Sequence, residues 1–177
     1  GKTLLQFYKM IQFDPERRLL LCKSIANTAI TNKYRALLVS DEQERETINK
    51  KISQFKKELE SIHEISEIKT KISQYRENAD GYIKRYLDLK FLGYSEKIQQ
   101  FVRGMMYGVL ECAVFHTQLD PRFGILNTEN DHDSLPLIDD LFVLFGGTYL
   151  DFFLMNLDID IQQFPMTTPN EFPESLK

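Results

Sequence analysis

Residues 48–75, INKKISQFKKELESIHEISEIKTKISQY, carry the pattern that decides the fold. From Ile48 to Ile62, successive apolar residues are separated by four, three, four and three positions. That spacing puts them on one face of a helix and is typical of a coiled-coil heptad. It predicts an all-α fold, a helical bundle with a long amphipathic, coiled-coil-like helix or helix pair over about residues 41–90.

The heptad pattern loses its register at Ile65, which lies three positions from both Ile62 and Ile68. Two successive steps of three either wind one long helix more tightly or mark a turn. Ser61 and Glu64 have the spacing of a capping box for a new helix. Because no Gly or Pro lies there, we favour one long helix or two nearly continuous helices, and the sequence leaves that choice open.

Helices are also predicted on both sides of this region. Asp14 followed by Pro15 is a typical helix start and predicts a helix that continues into the high thirties. Gly93 and Ser95 indicate a break and a new start. The next helix, at about residues 95–119, is apolar over a wide face, so we expect it to be the central helix of the bundle.

A single helical domain is expected over residues 1–163, followed by an extended or disordered Pro-rich tail at 164–177. A chain of 177 residues can bury a sizeable core without disulfides. Its two cysteines, Cys22 and Cys112, are expected to be buried thiols, although a single bridge remains open. Buried thiols favour a reducing compartment, and hence a cytoplasmic location.

Charge is distributed unevenly along the chain. Residues 1–118 carry 20 Lys and Arg against 15 Asp and Glu, whereas residues 119–177 carry 2 against 11. The C-terminal third is therefore acidic as well as rich in aromatic residues. Two explanations are open: the acidic part packs beside the basic part of the same chain, or it meets a basic partner.

The most apolar stretch, LPLIDDLFVLFGGTYLDFFLMNLDID at 135–160, is expected to form two short buried elements. Paired aspartates such as Asp139 and Asp140 can hold Mg²⁺, and the preceding loop alternates oxygen ligands as calcium loops do. A divalent cation, Mg²⁺ or Ca²⁺, bound by Asp131, Asp133, Asp139 and Asp140 is therefore one hypothesis. Acids that favour a helix dipole and a solvated acidic loop explain the same residues without metal.

Several classes of function are disfavoured. The chain has no GxGxxG, P-loop, HExxH or GxSxG motif, and its three histidines lack ligand spacing, so no enzymatic activity is indicated. Lysines and glutamates alternate along the long amphipathic region, which disfavours nucleic-acid binding. An apolar run at 141–157 contains a Gly pair and Asp151, which disfavours an integral membrane protein.

The leading hypothesis is a non-enzymatic protein–protein interaction or assembly module that associates, with itself or a partner protein, through amphipathic helices. The predicted contact residues come from the heptad pattern and from the tail: Ile48, Ile52, Phe55, Leu59, Phe164 and Phe172. One alternative is a helical protein that binds a small molecule or divalent metal ion through the acidic loop and Asp139/Asp140. A second is a membrane-peripheral protein that uses its apolar C-terminal third.

Overall fold

The computed structural model describes residues 14–37, 42–91, 93–127 and 135–158. These residues form six α-helices, with a π-helix at Gly146–Asp151 that joins the last two. No strand occurs in the described ranges, and the predicted all-α fold is confirmed. The α-helices are α1 (Pro15–Ala36), α2 (Glu42–Glu60), α3 (Ile65–Phe91), α4 (Ser95–His116), α5 (Pro136–Phe145) and α6 (Phe152–Asn156).

Helix α1 lies at the centre of the bundle and begins where the sequence predicts. The Asp14 carboxylate accepts a hydrogen bond from the backbone N–H of Arg17 at 3.1 Å, and Pro15 occupies the first turn. Along its length α1 contacts α2, α3, α5, the π-helix and α6. Its buried residues are mostly small, which lets neighbouring helices approach closely: Cys22, Ala26, Ala29, Ile30, Lys33, Tyr34 and Ala36.

The long amphipathic region consists of two helices with a turn between them. Helix α2 ends at Glu60, and α3 begins at Ile65, so the chain forms the helix pair, one of the two alternatives that the sequence left open. Ser61 donates a hydrogen bond to the Glu58 carbonyl at 2.8 Å, and Lys23 of α1 donates one to the Glu60 carbonyl at 3.0 Å. These side chains satisfy carbonyls that a continued helix would have used, so the turn needs no Gly or Pro.

The heptad pattern of α2 faces the interior of the same chain. Ile48, Ile52, Phe55 and Leu59 are all buried, with Phe55 only 1% exposed. The Phe55 ring packs edge-on against Tyr75 of α3, with ring centroids 4.8 Å apart. Folding of the monomer already covers these four residues, and their role as an association surface stays a prediction.

Helix α4 lies at the edge of the bundle, which corrects its expected central position. Only Ser95 and Val114 of this helix are buried. Its inner side packs against the core through partly buried residues such as Ile98, Val102 and Met106, and the opposite side is exposed. The wide apolar face that indicated a central helix is therefore divided between the core and the surface.

The chain passes through the Gly146–Gly147 pair without leaving the helical path. It forms the π-helix there, so the two short elements expected over 135–160 follow one another without a break. A Cβ on Gly147 would lie 2.6 Å from the Cα of Lys33 and 2.8 Å from the carbonyl carbon of Asn32. Only glycine therefore allows the π-helix to touch the backbone of α1 at this point.

Replacing Phe55 with Ala should lower the free energy of unfolding by about 3–5 kcal/mol, because it opens a cavity against Tyr75. Urea denaturation followed by circular dichroism measures the change. Ser53→Ala, at an exposed position of the same helix, is the matched control and should leave stability nearly unchanged. Full stability of Phe55→Ala combined with a loss of self-association would support the surface role of α2.

The two neighbouring glycines form a matched pair for a second test. Gly147→Ala should lower the unfolding free energy by about 1–3 kcal/mol or more, because the new methyl group collides with the α1 backbone. Nothing lies within 4 Å of the corresponding Cβ position at Gly146, so Gly146→Ala should be neutral or slightly stabilising. Equal melting temperatures for the two variants would contradict the close contact.

Candidate functional site

Asp140 binds the backbone of the segment that follows α4. Its Oδ2 accepts hydrogen bonds from the N–H groups of Ile125 (2.5 Å) and Leu126 (2.9 Å). Its Oδ1 accepts from the backbone and side-chain nitrogens of Asn127, at 2.9 and 2.8 Å. Burial raises the pKa of Asp140, while these four donors stabilise the carboxylate and oppose that rise.

The opposite side of this segment is held by α1. Arg18 Nε donates to the Ile125 carbonyl at 2.9 Å, and Cys22 Sγ lies 3.4 Å from the same oxygen. Burial raises the pKa of Cys22 to about 11, so this thiol stays protonated. Cys112 is exposed and also a free thiol, so the expectation of two buried cysteines holds for Cys22 alone. Asp140 and α1 together fix residues 125–127.

Asp139 and Asp140 point to different partners. Asp139 accepts a hydrogen bond from the Tyr107 hydroxyl of α4 at 3.3 Å, whereas both oxygens of Asp140 take N–H donors. The described residues contain no group of three or more His, Cys, Asp or Glu placed to hold a metal ion. The geometry therefore gives this pair a role in holding the fold, and metal binding by the chain stays a prediction.

A cluster of charged side chains lies where α1, α3, α4 and the π-helix meet. Lys33 is buried, and its Nζ binds Asp151 Oδ2 at 2.7 Å and Asp80 Oδ1 at 2.8 Å. Burial raises the pKa of Asp151, and the Lys33 ammonium opposes that rise. Arg103 of α4 completes the cluster, with a guanidinium nitrogen 3.5 Å from the same Asp80 oxygen.

The sequence contained a signal for this cluster that its interpretation missed. Lys33 occupies the same helix face as Ala26, Ile30 and Leu37, all of which are buried. A charged residue at a core position of an amphipathic helix is buried only when it is paired, so it indicates a buried partner. The identity of that partner, Asp151, depends on a contact across 118 positions of the chain.

A small cleft adjoins the cluster. Its walls combine basic side chains with apolar ones: Ala29, Lys33, Arg76, Arg103, Phe142, Val143, Gly146, Gly147, Leu150 and Asp151. The cavity that they enclose has a volume of about 10 Å³. That interior volume is about enough for one water.

The outer face of α4, which we define as Phe101, Gly104, Met105, Gly108, Val109, Cys112 and Phe115, is apolar and open to solvent. Its four large side chains, Phe101, Met105, Val109 and Phe115, are between 55% and 67% exposed. None of these seven residues is charged, but Lys97, one turn before Phe101, continues the same side of the helix, and Glu111 lies at its border. Along it, Phe101, Met105, Gly108, Cys112 and Phe115 repeat the four-three-four-three spacing of a heptad.

Two glycines on this face have no structural reason within the monomer. Gly104 and Gly108 lie in the middle of α4, where glycine costs about 1 kcal/mol relative to alanine. Nothing lies within 4 Å of a Cβ built on either residue, and neither has a positive φ. The described part of the fold would therefore accept Ala at both positions, unlike at Gly147.

Four of the predicted functional residues lie outside the described ranges: Asp131, Asp133, Phe164 and Phe172. No helix in the described residues is long and apolar enough to cross a membrane. Searches against protein-family models, curated proteins and solved structures found no match.

Asp140→Asn should lower the unfolding free energy by at least about 2 kcal/mol, because an amide nitrogen would then face backbone N–H groups. Hydrogen exchange of the Ile125, Leu126 and Asn127 amides should accelerate in the same variant. Asp139→Asn is the control and should change stability by only about 0.5 kcal/mol, since an amide can still accept from Tyr107. Unchanged exchange at residues 125–127 would contradict the role of Asp140.

Proposed function

We propose that this protein is a helical assembly module that self-associates through the outer face of α4. The observation that carries the proposal is the exposure of four large apolar side chains on one face of a well-formed helix. Exposed contiguous apolar surface of this kind marks interaction sites in soluble proteins. The proposal keeps the expected interaction function and moves it from α2 to α4.

A second copy of the chain is the partner that this face fits best. The seven residues of the face carry no charge, and their heptad spacing suits packing of one helix against an equal one. Gly104 and Gly108 would let the two backbones approach closely where the helices cross. An isologous two-fold contact is also the commonest arrangement of homo-oligomers.

The free energy gained by burying these side chains, compared with the cost of association, predicts a weak dimer. Burying four half-exposed apolar side chains on each of two chains contributes roughly 10 kcal/mol before costs. Association and side-chain ordering cost on the order of 4–15 kcal/mol. We therefore expect a dimer with a dissociation constant in the micromolar to millimolar range, in the cytoplasmic location expected from the cysteines.

Sedimentation equilibrium over a concentration series tests the proposal. The unmodified chain should sediment as a dimer at high concentration, and Met105→Glu with Val109→Glu should weaken dimerisation by at least tenfold, because charge is buried against an apolar face. Circular dichroism should be unchanged, since both side chains are exposed in the monomer. Ile48→Val, in the covered heptad of α2, is the control and should leave the dimer intact.

Cross-linking locates the contact. In a Cys112→Ala background, Gly108→Cys should form a disulfide-linked dimer under mild oxidation, because residue 108 lies near the proposed helix crossing. Ser53→Cys, an exposed position on α2, should not cross-link above background. A chain that stays monomeric at every concentration, or one in which both cysteines cross-link equally, would refute the proposal.

A further inference from the structure

The charged cluster at the junction of α1, α3, α4 and the π-helix has one more positive than negative group. Lys33, Arg76 and Arg103 are basic, and Asp80 and Asp151 are acidic. Lys33 Nζ binds one oxygen of each carboxylate, Asp151 Oδ2 at 2.7 Å and Asp80 Oδ1 at 2.8 Å. The two arginines line the same cleft, and neither makes an ion pair this short within the described residues.

Arg103 is the clearer case of an arginine in this cleft that lacks a hydrogen-bond acceptor. Its one ion pair is 3.5 Å long and uses the Asp80 oxygen that already binds Lys33. Its Nε atom is buried and has no hydrogen-bond partner within the described residues. A buried N–H of a charged group that lacks an acceptor raises the free energy of the folded chain. Binding of a ligand oxygen that accepts a hydrogen bond from this nitrogen would remove that cost.

Arg76 faces the same cleft from α3. Within the described part of the chain, its guanidinium has no ion pair or hydrogen bond, although it acts on Asp151 through its charge. Arg76 and Arg103 line the same cleft, and a guanidinium group suits bidentate binding of carboxylates and phosphates. The adjoining π-helix is a further indication, since such turns are frequent at functional sites.

We propose that this cleft binds a small oxyanion, the carboxylate or phosphate group of a small molecule, through Arg76 and Arg103. The anion neutralises the excess positive charge and supplies the acceptor that Arg103 Nε lacks. Phe142, Val143 and Leu150 give the cleft an apolar wall, which suits a short alkyl chain on the ligand.

The ligand enters the cleft only in part. The interior holds about one water, so one oxygen of the anion occupies it and accepts from Arg103 Nε, while the rest of the ligand lies at the open edge. The Arg103 side chain is 41% exposed and so reaches the open edge, whereas Lys33 is buried and paired with both aspartates. Arg103 lies on the side of α4 that faces the bundle. The proposed anion site is therefore separate from the outer face of that helix.

Titration with inorganic phosphate, acetate and butyrate, each against chloride at matched ionic strength, tests the site. Nitrogen–proton NMR of the arginine side chains reports directly on Nε: the Arg103 signal should shift and saturate with at least one of the three anions. A preference for phosphate identifies a phosphate ligand, and a preference for butyrate over acetate identifies a carboxylate with an apolar tail.

Variants supply the controls. Arg103→Gln and Arg76→Gln should each weaken binding by about tenfold or more, as loss of a charge-assisted hydrogen bond requires. Arg85→Gln, on α3 and bonded to its own helix at Gly81, should bind as the unmodified chain does. Arg103→Lys keeps the charge but removes Nε, and serves if Arg103→Gln fails to fold.

Three outcomes would overturn the proposal: no saturable shift of the Arg103 signal with any anion up to tens of millimolar, unchanged affinity in Arg103→Lys and Arg76→Gln, or equal weakening by Arg85→Gln. The last result would mean that the anions bind only through the general positive charge of the protein surface. Because the Arg103 variants leave the outer face of α4 intact, their dimerisation should match the unmodified chain, which separates this site from the proposed assembly function.

Discussion

The contact between the π-helix and the middle of α1 is the constraint on which the rest of the structure depends. Gly147 lets the two backbones touch, and that approach brings Asp151 within 2.7 Å of Lys33. Lys33 in turn binds Asp80, so a single ammonium group joins α1, α3 and the π-helix. A buried ion pair adds little net stability, because removing the two charges from water costs about as much as their attraction gains. Separating the partners would leave a buried charge unpaired, which is costly, so the cluster fixes how these helices are placed.

Within the described residues, three aspartates of the acidic C-terminal third bind other parts of the same chain. Asp140 holds the backbone of residues 125–127, and Asp151 pairs with Lys33. Asp158 lies 3.7 Å from Lys90 of α3. Within the described residues, the acidic part therefore packs beside the basic part of the same chain, which is the intramolecular explanation of the charge asymmetry.

Helices α2 and α4 show why a heptad pattern alone does not identify an association surface. Both carry apolar residues at four-three spacing, and both are amphipathic. In α2 that face lies against α1 and α3, and its central Phe55 is 1% exposed. In α4 the inner side supplies the core contacts, so a second apolar face remains in water. The difference lies in which neighbours each helix has, and neighbours come from the fold.

The sequence by itself determined the local structure. Asp14 and Pro15 start α1, Gly93 with its positive φ ends the long amphipathic region, and apolar periodicity predicts the helices, because these effects act within a few residues. It also marked Phe55 and its neighbours as apolar contact residues. Whether that contact lay within one chain or between two was beyond the pattern.

Only the tertiary structure decided which side chains meet. Lys33 and Asp151 are 118 positions apart, and Asp140 binds a segment 13 to 15 positions away. Such pairs depend on the packing of whole helices, for which spacing along the chain gives no measure. The same holds for the exposed face of α4: its apolar residues were visible in the sequence, but their exposure follows from α1, not α4, taking the centre of the bundle.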